Sequence, residues 1–415
     1  MIRGGAQQVC YELFQGLKEI DEIKPVLLAS VDSSYPALFK SGAHITGFDG
    51  RENEFLFLSR DYDYWWHRTN DPNLIKSFGE FLDLVKPDVV HFHHFLTLGL
   101  ELLPLTRRIL PDARIIFTLH EFLAICAADG HMVRRSEKSL CEYDSQVRCH
   151  QCFPERPPED FFLRKAWVQN NFRYVDMFTC PTNFMLERYR KWGIPTEKLI
   201  HVSNGQRNYS SGVAKSAART GNRNRFGFFG QMVDAKGVQV LLRAAEILRG
   251  NGFTDFRVEI NGGNAQFASQ PIKDEIEAVA KAEAKREFHD RNIVFNGTYD
   301  VDGIASRMAR IDWCVVPSIW WETFALVISE AWMFGRPVIC SNVGAMAERV
   351  KDDVDGLHFE MGDASALANV IFRACTEEGL HERLAQSLPE PPTRQAMVTA
   401  FLEVYDGEKG RTNSL

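Results

Sequence analysis

Two glutamates, Glu322 and Glu330, stand eight positions apart in Trp320-Trp321-Glu322-Thr323-Phe324-Ala325-Leu326-Val327-Ile328-Ser329-Glu330-Ala331. Ionised carboxylates are acceptor-only groups, so such a pair can take hydroxyl hydrogen bonds from two different sugars of one ligand. The preceding Ile311-Asp312-Trp313-Cys314-Val315-Val316-Pro317-Ser318 reads as a buried parallel strand, a short apolar run that Pro317 ends. Glu322 then falls in a loop. From about Phe324 the residues favour a helix, whose first N–H groups lack internal partners and can hold a diphosphate at the positive end of the dipole. Glu330 is expected about two turns further on, roughly 9–12 Å along the axis at 1.5 Å per residue, which is the span of a sugar, a diphosphate and a ribose. The plain alternative is a solvated pair of helix glutamates.

Strands and helices alternate along the chain, the pattern of parallel sheets covered on both faces. Pro25–Ser30, Val89–Phe92, Arg114–Thr118 and Val258–Ile260 are examples of the strands. At 415 residues the chain suits two domains, each with its own core. The polar piece from Tyr209 to Asn224 has no apolar period and reads as a linker. The expected division is 1–208, a linker at 209–224, a second domain at 225–392 and a C-terminal segment at 393–415. Helical spacing of Met397, Phe401 and Val404 marks a helix over Thr393–Tyr405, and the tail after Gly407 is expected to fray.

A net charge of -7 argues against a general nucleic-acid binder, which needs a dominant basic surface. No run of about twenty apolar residues is present, and no basic-then-apolar secretory pattern opens the chain, so the cytoplasm is the expected compartment. Nine scattered cysteines fit reduced thiols better than a disulfide framework.

The glutamate segment resembles the E, seven residues, E signature of the family-4 retaining glycosyltransferases with the GT-B fold. Phe334-Gly335-Arg336-Pro337-Val338-Ile339-Cys340-Ser341, Gly344-Ala345-Met346-Ala347-Glu348 and Asp355-Gly356-Leu357 continue that resemblance downstream. Upstream, Phe228-Phe229-Gly230-Gln231 with Lys236-Gly237 resembles the first strand and phosphate loop of the family's donor domain. Gly4-Gly5-Ala6-Gln7-Gln8-Val9 resembles its amino-terminal glycine loop, and Lys86-Pro87-Asp88-Val89-Val90-His91 the acceptor-domain strand before a His-rich turn. The resemblance implies an α/β protein of two doubly wound Rossmann-like domains facing a central cleft, with the C-terminal helix crossing back to the first. Relatives usually have a strand before the double glycine. Here only Met1-Ile2-Arg3 precedes it, so a truncated or misassigned start is expected.

By the same resemblance, Glu322 would bond the transferred sugar and Glu330 the ribose, while the amides of Phe324, Ala325 and Leu326 meet the diphosphate. Gly4, Gly5, Gly230 and Gln231 would line the ligand, and Lys236 would be the main cation against the leaving group. Ala325 stands where many relatives have glycine, and Gln231 where many have arginine. His120, in Thr118-Leu119-His120-Glu121-Phe122, matches the family's active-site histidine at a strand end, where ligands bind in open α/β sheets. His93 and His94 are further cleft candidates, and Asn204-Gly205 resembles an Asn-Gly near the cleft.

Asp61-Tyr62-Asp63 and Asp300-Val301-Asp302 have a spacing used elsewhere for a divalent ion. They lie outside the matched motifs, and no catalytic metal is expected. Cys126, Cys141, Cys149 and Cys152 include a C-x-x-C pair and could close a structural zinc site, with free thiols or a disulfide as the alternatives. Phe161–Val168 is aromatic and basic: either a helix packed on the first sheet or a surface touching the inner face of a membrane. The expected activity is transfer of a sugar from a nucleotide-diphosphate sugar to a glycan or lipid-linked acceptor, with retention, in polysaccharide biosynthesis. The alternatives are a GT-B nucleotide-sugar epimerase and a catalytically weakened sugar-nucleotide binding protein.

Overall fold

A computed structural model of the chain describes residues 4–32, 43–48, 50–207, 222–300 and 303–407. Most of the expected linker, part of Asp300-Val301-Asp302 and the tail from 408 therefore lie outside the described residues. The chain divides into two compact units: residues up to Gln206 together with those from Arg394, and Arg207–Thr393.

In the first unit, α1 (Gly5–Lys18) precedes β1 (Leu27–Asp32), β2 (Ile45–Gly47) and β3 (Glu54–Ser59), which form a sheet in the order β1-β3-β2. A two-stranded ribbon of β4 (Tyr62–Asp63) and β5 (Arg68–Thr69) follows. A separate parallel sheet holds β6 (Val89–Phe92), β7 (Arg114–Thr118), β8 (Met177–Cys180) and β9 (Leu199–His201) in chain order. The helices between these strands are α2 (Pro72–Val85), α3 (Leu102–Ile109), α4 (Gln146–Cys152), α5 (Pro158–Phe172) and α6 (Asn183–Trp192). Local chemistry sets their ends. The Asp71 carboxylate accepts from the N–H groups of Asn73 and Leu74 to open α2, and Thr182 caps α6, which Gly193 closes in the left-handed region. Helix α5 buries Phe161, Arg164 and Val168 and leaves Phe162 and Leu163 exposed.

The second unit is one six-stranded parallel sheet. Its strands are β10 (Arg225–Gln231), β11 (Arg257–Gly263), β12 (Ile293–Gly297), β13 (Trp313–Val316), β14 (Val338–Ser341) and β15 (Gly356–Phe359), ordered β12-β11-β10-β13-β14-β15. Helices α7 (Val238–Gly250), α8 (Gln270–Ala284), α9 (Ile304–Met308), α10 (Leu326–Met333), α11 (Gly344–Arg349), α12 (Ala364–Thr376) and α13 (Leu380–Gln386) cover it. Apolar cores on the two faces explain the near-continuous apolar strands: Phe228, Trp313 and Val315 enter one core, Phe229, Cys314 and Val316 the other. The chain starts at the middle of the sheet, builds outward from β10, then returns to β13 and builds the other way. This order places a topological switch point between β10 and β13, and the carboxyl ends of strands at such a point are where open α/β sheets bind ligands.

The last helix, α14 (Arg394–Asp406), belongs to the first unit and packs on α1. It buries Met397, Phe401 and Val404, the residues whose spacing announced it. Gly16 lets the two helices close up, since a Cβ there would meet Val398, and Arg394 bonds Glu12 and Glu19. Among the described residues no helix is long and apolar enough to cross a membrane.

Candidate functional site

The switch point of the second unit is built from the segments that follow β10 and β13. At the end of β10, Gly230 is half-buried and Gln231 exposed, and beyond it one turn of 3-10 helix, Asp234–Lys236, delivers Lys236. Gly237 closes that turn at φ +70, and a Cβ there would collide with the Pro317 carbonyl. The Ile319 N–H also donates to the Ala235 carbonyl at 2.9 Å. The two loops are therefore held against each other by backbone contacts.

Glu322 is 5% exposed, yet it is well provided for. Its Oε1 accepts from Lys236 Nζ at 2.7 Å, Ser318 Oγ at 2.7 Å and Trp320 Nε1 at 2.8 Å. Burial pushes the carboxyl pKa up, but the Lys236 charge and the three donors outweigh it and hold the group below the usual glutamate range. Lys236 also lies 5.3 Å from the Trp320 ring centroid and keeps about a third of its side chain in solvent. Neither Ser318 nor Trp320 was singled out from sequence, and only the fold brings them to the carboxylate.

Helix α10 begins at Leu326, later than the expected Phe324, because Ala325 takes φ 57, ψ 77 at the N-cap. This left-handed backbone costs an alanine about 1 kcal/mol. Arg349, the last residue of α11, donates to the Phe324 carbonyl at 2.7 Å, the Ala325 carbonyl at 3.0 Å and Ser329 Oγ at 2.6 Å. Its guanidinium lies 3.7 Å from the Phe324 ring centroid and 5.0 Å from that of Trp332. Burial lowers its pKa to about 9, so it stays charged at neutral pH. Glu330 sits on α10, 8% exposed. Its charge, after burial itself, raises the pKa values of the Tyr299 phenol and the Cys314 thiol, which places the carboxylate within electrostatic reach of both.

In the first unit Gly4 is the extended N-cap of α1 and Gly5 its exposed first residue, with no side chain capping the helix. The expected glycine loop is thus a helix N-terminus. His120 follows β7 and is 9% exposed. Its Nε2 is 3.0 Å from His93 Nδ1, so one ring must donate and the other accept. His91 bridges Tyr405 Oη at 2.8 Å and Thr118 Oγ1 at 2.7 Å, and His94 lies 3.7 Å from Glu121. Burial, reinforced by neighbouring imidazoles, pushes His93 and His120 well below the usual histidine range and His91 to about 3. Burial takes His94 to about 4. The cluster is neutral at physiological pH. Asn204 is buried, and the Gly205 N–H points to the Met397 sulfur at 3.2 Å.

The metal expectations fare differently. Asp63 Oδ1 accepts from the N–H groups of Trp65 and Trp66 and Asp61 Oδ1 from Asn70, so that triplet organises a turn. Among the described residues no three His, Cys, Asp or Glu side chains are grouped to hold a metal ion, and Cys126, Cys141, Cys149 and Cys152 are not arranged as such a group. The Cys141 thiol donates to the Tyr143 carbonyl at 3.3 Å, and Cys126 faces the Ala128 carbonyl. Burial raises the thiol pKa of Cys149 to about 11. None of the nine cysteines is in a disulfide.

Sequence comparison fits this geometry. A profile described as Glycosyltransferase Family 4 matches residues 3–206, and one described as Glycosyl transferases group 1 matches residues 223–377. The chain belongs to the family-4 glycosyltransferases. Curated relatives of this family-4 chain include a D-inositol 3-phosphate glycosyltransferase of Xylanimonas cellulosilytica, 29% identical over 46% of each chain. A phosphatidyl-myo-inositol mannosyltransferase of Mycobacterium leprae is 29% identical over 28% of this chain and 32% of that one. These matches thus span less than half of either relative. Anabaena HepE, solved with UDP and glucose, superposes with a TM-score of 0.63 at 15% identity, covering 97% of this chain and 96% of that one. At that identity the likeness establishes the fold, which is GT-B.

Among the expected site residues of this family-4 glycosyltransferase, the second unit groups Lys236, Glu322, Phe324, Ala325, Leu326 and Glu330 around one switch point. His120 stands in the first unit within a histidine cluster.

Proposed function

We propose that the chain is a retaining glycosyltransferase that moves a sugar from a nucleotide-diphosphate sugar to a hydroxyl of a glycan or lipid-linked acceptor, in polysaccharide biosynthesis. The observation that carries this reading is the Lys236–Glu322 pair at the β10/β13 switch point, beside the N-terminus of α10. A cation and a row of helix amides suit a diphosphate, and two buried carboxylates eight residues apart suit sugar hydroxyls. HepE, with UDP and glucose bound, has the same fold.

In this reading residues 225–392 bind the donor, with Glu322 on the transferred sugar, Glu330 on the ribose, and Gly230, Gln231 and the amides of Phe324, Ala325 and Leu326 along the diphosphate. The partly exposed Lys236 turns from Glu322 to the leaving phosphate. Residues 1–208 take the acceptor, with Gly4, Gly5 and His120 among the ligand-facing groups. The bond from the anomeric carbon to the phosphate oxygen breaks, and the acceptor oxygen bonds that carbon on the same face. The acceptor proton passes to the departing phosphate. A double displacement would need a further carboxylate under the ring, and the resemblance assigns no other Asp or Glu of the matched motifs to that place. Stabilisation of the leaving charge by Lys236 and the α10 amides needs no metal. The enzyme works in the cytoplasm, and a lipid-linked acceptor would bring it to the inner face of the membrane.

Calorimetry against UDP-, GDP-, ADP- and dTDP-sugars tests the donor site, and NMR of the product's anomeric centre tests retention. Glu322→Ala is expected to lower turnover by about a hundredfold or more, the scale for losing a preorganised contact in the transition state, without loss of the folded state. Unchanged turnover would refute the role given to Glu322.

A further inference from the structure

Arg349 lies outside every motif that sequence reading singled out, yet it holds the backbone that aims α10. It is the last residue of α11, about a turn and a half after Gly344, and its side chain crosses to the segment before α10. One nitrogen bonds the carbonyls of both Phe324 and Ala325, the other bonds Ser329 inside the helix, and the plane lies against the buried Phe324 ring. Three contacts on both sides of one N-cap fix the entry angle of a helix only eight residues long.

The N-cap is where this restraint is needed. Ala325 sits at φ 57, a conformation that an L-residue with a Cβ leaves readily and glycine adopts freely. If Ala325 relaxed, its own N–H and that of Leu326 would turn, and the first amides of α10 would point elsewhere. A planar guanidinium is suited to this task, since it delivers several donors in one fixed fork, which an ammonium cannot.

We propose that Arg349 is a positioning residue of the donor site: by clamping the Phe324 and Ala325 carbonyls it enforces the left-handed Ala325 and so presents the amides of Ala325 and Leu326 to the diphosphate. The inference rests on the reading of the β10/β13 switch point as the donor site. It supplies what that reading lacks, a reason why an alanine can stand where a left-handed backbone is required.

The test is a double-mutant cycle. Affinity for UDP, GDP, ADP and dTDP is measured by calorimetry on the whole chain, with Arg349→Met made in the Ala325 background and again in an Ala325→Gly background. Thermal melts are recorded for each variant. The expected result is that Arg349→Met weakens binding of the preferred nucleoside diphosphate by about tenfold in the Ala325 background. In the Ala325→Gly background the loss should be no more than about threefold, because glycine needs no restraint there. Arg349→Lys should behave like the methionine variant. Equal losses in the two backgrounds would overturn the proposal. So would a drop in melting temperature with undiminished affinity of the folded protein, which is the mark of a purely structural role. If the parent chain bound none of the four nucleotides, the donor-site reading itself would fall and take the proposal with it. Binding by the parent with no loss in Arg349→Met would leave that reading standing and remove only the role of Arg349.

Discussion

Glu322 in the second unit and the histidine cluster of the first are both buried at strand ends, but burial has opposite electrostatic outcomes in them. Glu322 is kept ionised because a cation and two neutral donors converge on one of its oxygens. His91, His93, His94 and His120 have chiefly each other, hydroxyls and backbone as neighbours, and a second imidazolium would be a like charge. They are kept neutral. Burial is the largest cause at both places: at Glu322 a cation and its donors together outweigh it, and at His91, His93 and His120 neighbouring imidazoles add to it.

The pH response should separate the two regions most sharply. Histidines held at a depressed pKa stabilise the fold above the unfolded value near 6.5, and that contribution is lost as pH falls toward the folded values of about 3 for His67 and His91 and about 4 for His94. His93 and His120 act in the same sense. Two carboxyls of this unit oppose them: burial raises Glu101 and Glu121 to about 7, so the folded state takes up their protons first as pH falls. The histidines outnumber the two carboxyls, so this unit is expected to lose stability as pH falls below about 6.5. Glu322, held low, contributes stability that persists in this window and goes only as pH drops below about 4.5 through its folded pKa. Hydrogen exchange followed by peptide-resolved mass spectrometry should show segments around β6 and β7 opening before those around β10 and β13. The reverse order would break the comparison.

Next in size is Lys236→Met, which turns the charged site into the uncompensated case. Turnover should fall about a hundredfold or more with loss of leaving-group stabilisation. The stranded carboxylate should also cost about 2–3 kcal/mol of stability at neutral pH, seen in urea melts and diminished at pH 5 as Glu322 takes up a proton. An unchanged melt would mean that Ser318 and Trp320 alone suffice to hold the charge.

A smaller effect is expected from Gly237→Ala, which leaves every charge in place. The added methyl meets the Pro317 carbonyl at a positive φ, so a loss of about 1–3 kcal/mol and a lower melting temperature are expected, with donor affinity falling because Lys236 is displaced. Retained stability would show that the two loops are less tightly joined than their contacts indicate.

Much of this was legible along the chain. Val89–Phe92 and Arg114–Thr118 form strands with the bounds their apolar runs suggest, and Met397, Phe401 and Val404 lie on the buried face of α14. Glu322 occupies a loop and Glu330 the following helix, as the residue types between them require. The donors to Glu322 were partly within local reach, since Ser318 and Trp320 are only four and two residues away, but nothing in their types marks them as its partners. Arg349 was not legible at all. Its partners lie 20 to 25 residues away, and a helix-end arginine ordinarily reads as solvated. The four cysteines are a separate case: spacing made a metal set plausible, and among the described residues they are not grouped as ligands, while Cys149 lies within electrostatic reach of Cys126 and Cys141.

By itself, then, the sequence determined the periodicities, and with them the strands, the helices, the two apolar cores and the loop positions of the reactive side chains. Those follow from neighbours a few residues apart. The tertiary structure alone decided which carboxylate is charged, which imidazoles are neutral and which way the first amides of α10 point. Each of these depends on donors and charges brought from distant parts of the chain, at distances where an ångström changes the outcome.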